Sequence, residues 1–432
     1  MHIPFDALPS TTGLFLDYIH RWQKVSRFYS CPHTLDAIAE FARGLPVADI
    51  SHLERLCSAL EGRQRGWGGE TRGVKKLASG AVAVVAGQQP GLFTGPLYSI
   101  LKAITAVKIA RELEEMDIPA VPVFWIAAED HDQEEIKWAA VLDRDSALHR
   151  IRTELLGENR TPVGWLKFGN DVTEAVASCF NLLPSSEFHE QVRSVIESAY
   201  SPGVSPVDAF ARMMIRLFSG TDLVLTDPLD PNLRHLAEPV LQCAADSNND
   251  IRRAVIRRTE EISQAGYQPQ VRVDENFTGL FAYNGRFRNP VRPNDASGSL
   301  NLSPNVLMRP IVQDSIFSTA AYVGGPAEIA YFAQAAPIYR CLGKTMPPVF
   351  PRITATLIDR PVAQVIRKYG LGVEDLFAGR DQLRKRAVGS IYDFRIFDEV
   401  RHNLYDEIER LRPILTGVDP TLTGALDNSR QK

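Results

Sequence analysis

The chain has 432 residues, of which 44% are hydrophobic and 23% are charged. This composition is typical of a globular protein and excludes the disordered, collagen-like and low-complexity classes. The 48 basic and 52 acidic side chains give a net charge of -4, which argues against a dedicated nucleic-acid-binding protein. At roughly 100–200 residues per domain, the length predicts two or three packed units.

Cysteine usage and apolar patterning indicate the compartment. The five cysteines are odd in number and no two have CxxC spacing, which predicts reduced thiols. Such cysteines are more often core residues than nucleophiles; they are Cys31, Cys57, Cys179, Cys243 and Cys341. The N-terminal MHIPFDALPS lacks the pattern of a secretory signal, and apolar stretches such as AVPVFWIAA are shorter than the ~18–20 residues of a membrane span. We therefore expect a soluble, cytoplasmic protein.

The first 130 residues change from helical to alternating strand and helix. Residues 1–76 show helical spacing of apolar side chains and end in the glycine-rich GWGGETRG, and AVAVVA from Ala81 is typical of a buried parallel strand. A helix is predicted from Leu97, with one face formed by Leu97, Ile100, Leu101, Ile104, Val107 and Leu113. A second buried strand is predicted over 118–128. This βαβ unit places its loops 87–96 and 129–135 at the carboxyl ends of the strands, where such sheets bind ligands.

The middle of the chain is less regular. Residues 186–219 and 232–265 are predicted to be helical, with a short strand over 222–227 between them. The alternating segment 270–290 contains Asn284-Gly285, a strong hairpin signal, and 291–305 is predicted to be a loop because it is rich in Pro, Asn, Ser and Gly.

A second dense region runs over 306–359. Gly324-Gly325-Pro326 is predicted to open a helix whose backbone N–H groups could receive an anion, and MPPVFPRITATLID (346–359) is predicted to be a core strand. The tail from about residue 370 is charged and helical. Its apolar residues step by three or four, as at the start of a coiled coil: Phe397, Val400, Leu404, Ile408, Leu411 and Ile414.

Two loops carry candidate chemistry. GQQPGLFTGP (87–96) either binds a ligand, with Gln88, Gln89 and Thr94 as polar contacts, or is a tight turn whose glycines satisfy only the geometry. EDHDQEE (129–135) surrounds one imidazole with carboxylates, which should raise the pKa of His131 and suit it to general-base catalysis. Alternation predicts Glu129 and His131 on one face and Asp130 and Asp132 on the other. A site for a hard metal ion and a solvated helix N-terminus are the alternatives for this loop.

Two arginines next to prolines are further candidates. Arg309 and Arg352 lie in strand-like surroundings, and either could bind a carboxylate or phosphate through two parallel hydrogen bonds. A structural ion pair is as good an interpretation for both. The GxGxxG, HExxH and GxSxG motifs are absent from the sequence, which argues against a dinucleotide fingerprint, a zincin and a serine hydrolase.

Five strings together identify a resemblance: VAGQQPGLFTGPLYSILKA (85–103), PVFWIAAEDHDQEEI (122–136), RPIVQD (309–314), AAYVGGPAEIAYFAQ (320–334) and MPPVFPRITATLID (346–359). They resemble the bacillithiol-biosynthesis cysteine-adding enzyme family, and the resemblance extends to about residue 420. It implies an α/β fold with a Rossmann-like parallel-sheet core similar to class I aminoacyl-tRNA synthetases and nucleotidyltransferases. The implied parts are an N-terminal helical region (1–76), a core (77–369) with insertions at about 145–220 and 266–305, and a C-terminal coiled-coil segment (370–432).

The resemblance also implies an activity. It is the ligation of cysteine to glucosaminyl-malate, the last step of bacillithiol synthesis, with ATP and magnesium expected for activating the carboxylate and no structural metal. His131 is then the candidate base, beside Glu129 and Asp132. The implied substrate-binding residues are Gly87, Gln88, Gln89, Thr94, Gly95, Tyr98, Arg309, Tyr322, Gly324, Gly325 and Arg352, with either arginine able to bind the malyl or cysteine carboxylate.

Family members continue into a longer C-terminal helix, whereas this sequence stops at Lys432. We therefore expect a shortened coiled coil, and a homodimer only if that coiled coil is complete. Two other functions stay open: an ATP-dependent nucleotidyltransferase or ligase acting on another amine and carboxylate, and a truncated homologue that binds a metabolite without catalysis. No nucleic-acid or membrane partner is expected.

Overall fold

The computed structural model describes residues 3–8, 11–46, 48–293, 301–389 and 395–419. The chain forms two compact units, of which the larger is Thr12–Thr354 and the smaller combines Met1–Thr11 with Ala355–Lys432. The expected boundary between the core and the C-terminal segment, at 369–370, lies later in the chain than this division.

The larger unit alternates helices and strands. Its helices are α1 (Gly13–His20), α2 (Trp22–Val25), α3 (Leu35–Arg43), α4 (Ile50–Gly66), α5 (Arg72–Ala78), α6 (Leu97–Glu115), α7 (Gln133–Ile136), α8 (Asp171–Leu182), α9 (His189–Ala199), α10 (Pro206–Leu217), α11 (Pro231–Asp246), α12 (Asn248–Gln264), α13 (Arg309–Ile316) and α14 (Pro326–Cys341). Its strands are β1 (Val82–Gln88), β2 (Ala120–Ile126), β3 (Trp138–Leu142), β4 (Leu148–Arg152), β5 (Leu155–Leu156), β6 (Lys167–Phe168), β7 (Val224–Thr226), β8 (Leu280–Asn284), β9 (Phe287–Pro290), β10 (Leu302–Pro304), β11 (Thr319–Gly324) and β12 (Val349–Pro351).

A five-stranded sheet, with strand order β12-β11-β1-β2-β7, forms the centre of this unit. Each neighbouring pair is parallel, and β1 and β2 are in register from Val82 opposite Ala120 to Gln88 opposite Ile126. The strand order reverses between β1 and β11, as in doubly wound α/β folds, where ligands bind beyond the carboxyl ends of the strands at such a reversal. The predicted α/β parallel-sheet fold is therefore confirmed.

Helix α6 packs against β1 and β2, and its predicted face is buried only in part: Val107 and Leu113 are buried, as expected. Leu97 and Ile104 are 42% and 40% exposed, whereas the small residues Ala103, Ala106 and Ala110 are buried. Small side chains allow the helix to approach the sheet closely, so the burial of this helix does not follow its largest apolar residues. Lys102 is buried on it as well.

Two groups of elements interrupt the alternation of strands and helices around the central sheet. Between β2 and β7, the β3–β4 and β5–β6 pairs and α8–α10 share a second hydrophobic core that includes Leu92, Phe168 and Val176. Between α12 and α13, strands β10, β8 and β9 form an antiparallel sheet. The hairpin predicted at Asn284-Gly285 is confirmed, and Gly285 adopts a φ of +61° there. The loop predicted over 291–305 is wrong at its end, because 302–304 pair with β8; residues 294–300 lie outside the described residues.

Two predictions in the second dense region need correction. Arg309 is the first residue of helix α13 and does not lie in a strand, since a proline in the first helical turn costs no backbone hydrogen bond. The strand predicted over 346–359 is confined to β12. The helix that Pro326 opens is confirmed, and it follows strand β11 directly.

The smaller unit contains α15 (Arg360–Lys368), α16 (Arg380–Gly389) and α17 (Arg395–Val418). Helix α17 bears exposed apolar side chains at coiled-coil spacing, including Val400, Leu404 and Leu411. Predictions for 420–432 lie outside the described residues. In the part of the chain that is described, no helix has both the length and the apolar character to span a membrane.

Candidate functional site

A cavity of about 760 Å³ opens at the carboxyl edge of the central sheet. Its walls come from the segments that follow four neighbouring strands: Gln89 after β1, Ala127 after β2, Gly325 after β11 and Arg352 after β12. The cavity thus lies beside the reversal of strand order between β1 and β11, the position expected for ligand binding in this topology.

A buried ion pair lies in the wall between two helices. Lys102 of α6 is 3% exposed, and its Nζ lies 2.5 Å from the Oε2 of Glu328 on α14. The same ammonium donates to the carbonyl of Gly87 (2.8 Å) and to the Oε1 of Gln88 (2.9 Å). Since each hydrogen of the ammonium has an acceptor, Lys102 joins β1 to α14 and fixes the amide of Gln88 at the cavity wall.

Burial disfavours the charged forms of both Lys102 and Glu328, and the attraction between the two charges opposes this effect. Burial lowers the pKa of Lys102, with Glu328 opposing that change. Burial disfavours the charged form of Glu328 too, but Lys102 and the Gly325 amide outweigh it, so the pKa of Glu328 is below its ordinary value. Gly325 N–H donates to Glu328 Oε2 at 2.8 Å. The amide predicted to receive an external anion at this helix N-terminus is therefore occupied by the chain's own carboxylate.

Arg309 is buried beside this pair. Its guanidinium donates to the hydroxyls of Tyr322 (3.0 Å) and Tyr331 (3.1 Å) and to Gln313 Oε1 (3.0 Å). Tyr322 in turn donates to Glu328 Oε1 at 2.6 Å. These contacts raise the pKa of Arg309 against the effect of burial, so the positive charge stays fixed at the cavity wall.

Arg352 is a more available cation. It stacks over the ring of Tyr98, with 5.3 Å from Cζ to the ring centre, and its guanidinium donates to Ile353 O and Thr354 Oγ1. Burial lowers the pKa of Arg352, although Glu328 opposes this, and the guanidinium stays charged because its ordinary pKa is far above neutrality. Within the described residues it has no carboxylate in ion-pair distance, so it can bind an anionic ligand.

The acidic loop does not continue the alternation of β2, because the strand ends at Ile126. Glu129, Asp130 and His131 all line the cavity, whereas Asp132 caps α7 by accepting from the amides of Glu134 and Glu135. The expected separation into two faces is therefore wrong.

Glu129 is held by three donors. Its Oε1 accepts from Ser303 Oγ (3.0 Å), Tyr283 Oη (3.2 Å) and Arg234 (3.4 Å). Burial raises the pKa of Glu129, while Arg288 and Arg234 oppose that rise. This carboxylate joins the acidic loop to the β8–β10 sheet and to α11.

The pKa of His131 shifts in the direction opposite to the prediction. Burial lowers it, and the positive Arg288 adds to that effect, while Asp130 and Asp132 oppose it. Arg288 lies with its guanidinium 3.4 Å from His131 Nδ1 and stacks over Phe281 at 4.0 Å. A neutral imidazole at neutral pH can accept a proton, so the shift suits a general base.

The glycine loop has two parts with different surroundings. Gly87, Gln88 and Gln89 line the cavity; Gln89 Nε2 donates to Asp130 at 2.5 Å, and its buried Oε1 has no partner among the described residues. Thr94 is buried and its N–H donates to Tyr200 Oη at 3.1 Å. A Cβ on Gly91 would lie 2.7 Å from Gly95 Cα, so the second part is a tight turn.

The structure thus brings together most of the expected site residues. The cavity is lined by Gly87, Gln88, Gln89, Tyr98, Glu129, His131, Arg309, Tyr322, Gly325 and Arg352. Thr94, Gly95, Asp132 and Gly324 do not line it. The residues that sequence reasoning missed are Lys102, Arg288 and Glu328. In the described parts of the chain, no group of three His, Cys, Asp or Glu residues is placed to hold a metal ion, and the cysteines are free thiols away from the cavity.

Comparison with known proteins assigns the family. The family model "Bacillithiol biosynthesis BshC, N-terminal Rossmann-like domain" matches residues 1–299 and 294–353, and "Bacillithiol biosynthesis BshC, C-terminal coiled-coil domain" matches 355–432. A relative from Solibacter usitatus is 35% identical over 98% of this chain and 83% of its own length, and one from Koribacter versatilis is 32% identical over 100% and 85%. A third, from Salinibacter ruber, is 31% identical over 99% and 83%. All three are named "Putative cysteine ligase BshC". The matches cover both units, and the chain belongs to the BshC family of bacillithiol biosynthesis.

Proposed function

We propose that this chain is the ligase that joins cysteine to glucosaminyl-malate, which completes bacillithiol. The observation that carries the proposal is the set of three guanidinium groups in the cavity wall, Arg288, Arg309 and Arg352, none of which has an ion-paired carboxylate within the described residues. Such a wall suits a ligand with several negative charges, such as the malyl dicarboxylate and a nucleotide phosphate. The family, and the name of the relatives, support the same reaction.

The chemistry needs an activated carboxylate. Amide formation in water is unfavourable from a free carboxylate, so ATP with magnesium is the proposed co-substrate that converts the cysteine carboxyl group into an acyl phosphate or adenylate. The glucosamine nitrogen then attacks the carboxyl carbon, the bond to the phosphate oxygen breaks, and the amine proton passes to His131. Arg352 supports an anionic co-substrate in this proposal, because its guanidinium lies beside the Tyr98 ring and has no ion-paired carboxylate among the described residues.

Each polar group has a proposed role. Arg352 binds an anionic substrate group, Gln89 Oε1 accepts from a substrate hydroxyl or amine, and Lys102 with Glu328 holds the wall in position. His131 is the base because it lines the cavity and has a lowered pKa. A His131→Ala variant that keeps full turnover would remove this assignment.

The test is a mass-spectrometric assay of the purified protein with cysteine, glucosaminyl-malate, ATP and magnesium. The expected result is a product at the bacillithiol mass that disappears when any one substrate is omitted. The absence of product under these conditions would overturn the proposal. Release of pyrophosphate or ADP across a panel of other acids and amines would then indicate a different ligase, and metabolite binding without turnover would indicate a non-catalytic homologue.

We also propose that α17 mediates a homodimer. Its exposed apolar residues at coiled-coil spacing, with Val400 60%, Leu404 58% and Ile414 62% exposed, form a stripe that a second helix would cover. Light scattering after size-exclusion chromatography should give twice the mass of one chain, and Leu404→Glu should reduce it to the monomer mass. The cytoplasmic location stays a prediction.

A further inference from the structure

A second, smaller cavity adjoins the large one. It has a volume of about 270 Å³ and shares four lining residues with the large cavity: Trp125, Glu129, Pro228 and Pro304. Its remaining walls come chiefly from α11, β10 and α13. The two cavities therefore meet at the end of β2, where Trp125 and Glu129 face both.

The walls of the small cavity differ from those of the large one. One side is apolar and is formed by Leu233, Ala237, Leu241, Val312 and Ile316. Polar groups, among them Arg234 and Gln242, lie on other parts of the wall. Since typical pockets for drug-sized ligands have volumes of about 300–1,000 Å³, a cavity of this size suits a single small metabolite and not a glycoside.

The junction of the two cavities carries an unused donor. Trp125 is 1% exposed, and its indole Nε1 has no hydrogen-bond partner among the described residues. Buried polar groups are nearly always hydrogen-bonded, so an indole N–H without a partner beside a cavity points to a ligand acceptor. Glu129 lies at the same junction, and its hydrogen bonds from described residues, those of Arg234, Tyr283 and Ser303, all go to Oε1.

We infer that the small cavity is the binding site for the amino-acid substrate, with its α-ammonium group at Glu129, its carboxylate at Trp125 Nε1 and its side chain against the apolar wall. This inference rests on the proposed function and deepens it. A short side chain such as that of cysteine fits the apolar wall, and the carboxylate then faces the large cavity, where the acceptor amine must lie. The large cavity, whose arginines have no ion-paired carboxylate among the described residues, takes the anionic glycoside.

Filling each cavity separately tests this division. Ala237, which is 6% exposed, lines only the small cavity, and Ala327, which is exposed, lines only the large one, so Ala237→Leu and Ala327→Leu each narrow one cavity. We expect Ala237→Leu to raise the KM for cysteine by about tenfold or more and Ala327→Leu to raise that for glucosaminyl-malate instead. Leu241→Phe, one helical turn from Ala237, provides a second filling variant if Ala237→Leu misfolds by circular dichroism.

Trp125→Phe removes the unused donor and keeps an aromatic ring. We expect a higher KM for cysteine with an unchanged KM for glucosaminyl-malate. A loss of packing alone should affect the KM values of both substrates. The inference is overturned if the folded filling variants of the small cavity leave the KM for cysteine within about twofold of wild type, or raise the KM for the glycoside instead.

A measurement of cysteine binding distinguishes a failure of this inference from a failure of the proposed function. Calorimetric titration of the full chain with L-cysteine alone should give a binding heat that Ala237→Leu abolishes and Ala327→Leu retains. If wild type binds cysteine in this way but forms no product, the proposed function fails and the site assignment stands. If wild type binds no cysteine, or Ala237→Leu binds it equally well, the site assignment fails whatever the product assay shows.

Discussion

Replacing Lys102 by methionine should strongly destabilise the larger unit. The ammonium is 3% exposed and contacts Glu328 Oε2 at 2.5 Å, Gly87 O at 2.8 Å and Gln88 Oε1 at 2.9 Å. Methionine fills much of the space of the lysine stem but leaves Glu328, whose side chain is 17% exposed, without its cation. Removing one partner of such a pair costs about 3–5 kcal/mol, and we expect a loss in that range for Lys102→Met.

A double variant that also removes the charge of Glu328 tests this explanation. In Lys102→Met/Glu328→Gln the uncompensated charge is absent, so we expect the double variant to be more stable than Lys102→Met by on the order of 2 kcal/mol. Lys108→Met is the matched control, because Lys108 lies on the same helix and is exposed; its change should stay within about 0.5 kcal/mol.

Urea unfolding followed by tryptophan fluorescence gives these free energies. The five tryptophans of the chain, Trp22, Trp67, Trp125, Trp138 and Trp165, lie in the unit Thr12–Thr354, so the signal reports that unit and not the C-terminal helices. A Lys102→Met variant no less stable than Lys108→Met, or a double variant less stable than Lys102→Met, would refute the role assigned to this ion pair.

Three further predictions follow from the charges. Because burial and Arg288 lower the pKa of His131, kcat/KM should fall only at a pH below the usual pKa range of imidazole. Arg288→Gln should move this fall to higher pH, and an unchanged pH profile would contradict the assignment of His131 as the base. Burial raises the pKa of Asp314 from 3.8 to about 6, so the folded chain binds the proton more tightly than the unfolded chain and stability falls as the pH rises through this interval. The loss is about 3 kcal/mol, and urea unfolding at pH 4 and 7 should show that Asp314→Asn removes most of it. Arg352→Gln should raise the KM of an anionic substrate by about tenfold, whereas Arg111→Gln, at an exposed site on α6, should not; equal effects would exclude direct binding.

Local sequence patterns were sufficient to predict the βαβ unit and its two loops. The β-branched run before Gly87 and the apolar run before Glu129 are short, continuous and bounded by loop residues, which is how buried parallel strands look in a sequence. The two runs lie in neighbouring parallel strands, so their loops meet at one edge of the sheet without any knowledge of distant contacts.

Side chains that meet only through tertiary structure could not be predicted in this way. Arg288 lies 157 residues from His131, and burial, with the charge of Arg288 adding to it, reversed the expected pKa shift. Lys102 lies within a mostly apolar helix, and its burial depends on Glu328 of a helix far along the chain. A usable signal was present for Glu328, because an acidic residue three positions after a helix-initiating glycine is typical of a carboxylate that caps its own helix.

The capping of α14 by Glu328 has a consequence for anion binding at this end of the sheet. In many doubly wound proteins, free backbone N–H groups at the start of a helix bind the anion directly. Here the Glu328 carboxylate occupies the amide of Gly325, and the adjacent cation is Arg352, whose Nε would lie 3.4 Å from a Cβ on that glycine. An anion bound beside Arg352 would therefore be contacted by a side chain and not by the Gly325 amide, so one substitution at Arg352 would change that contact without altering the strand-to-helix turn.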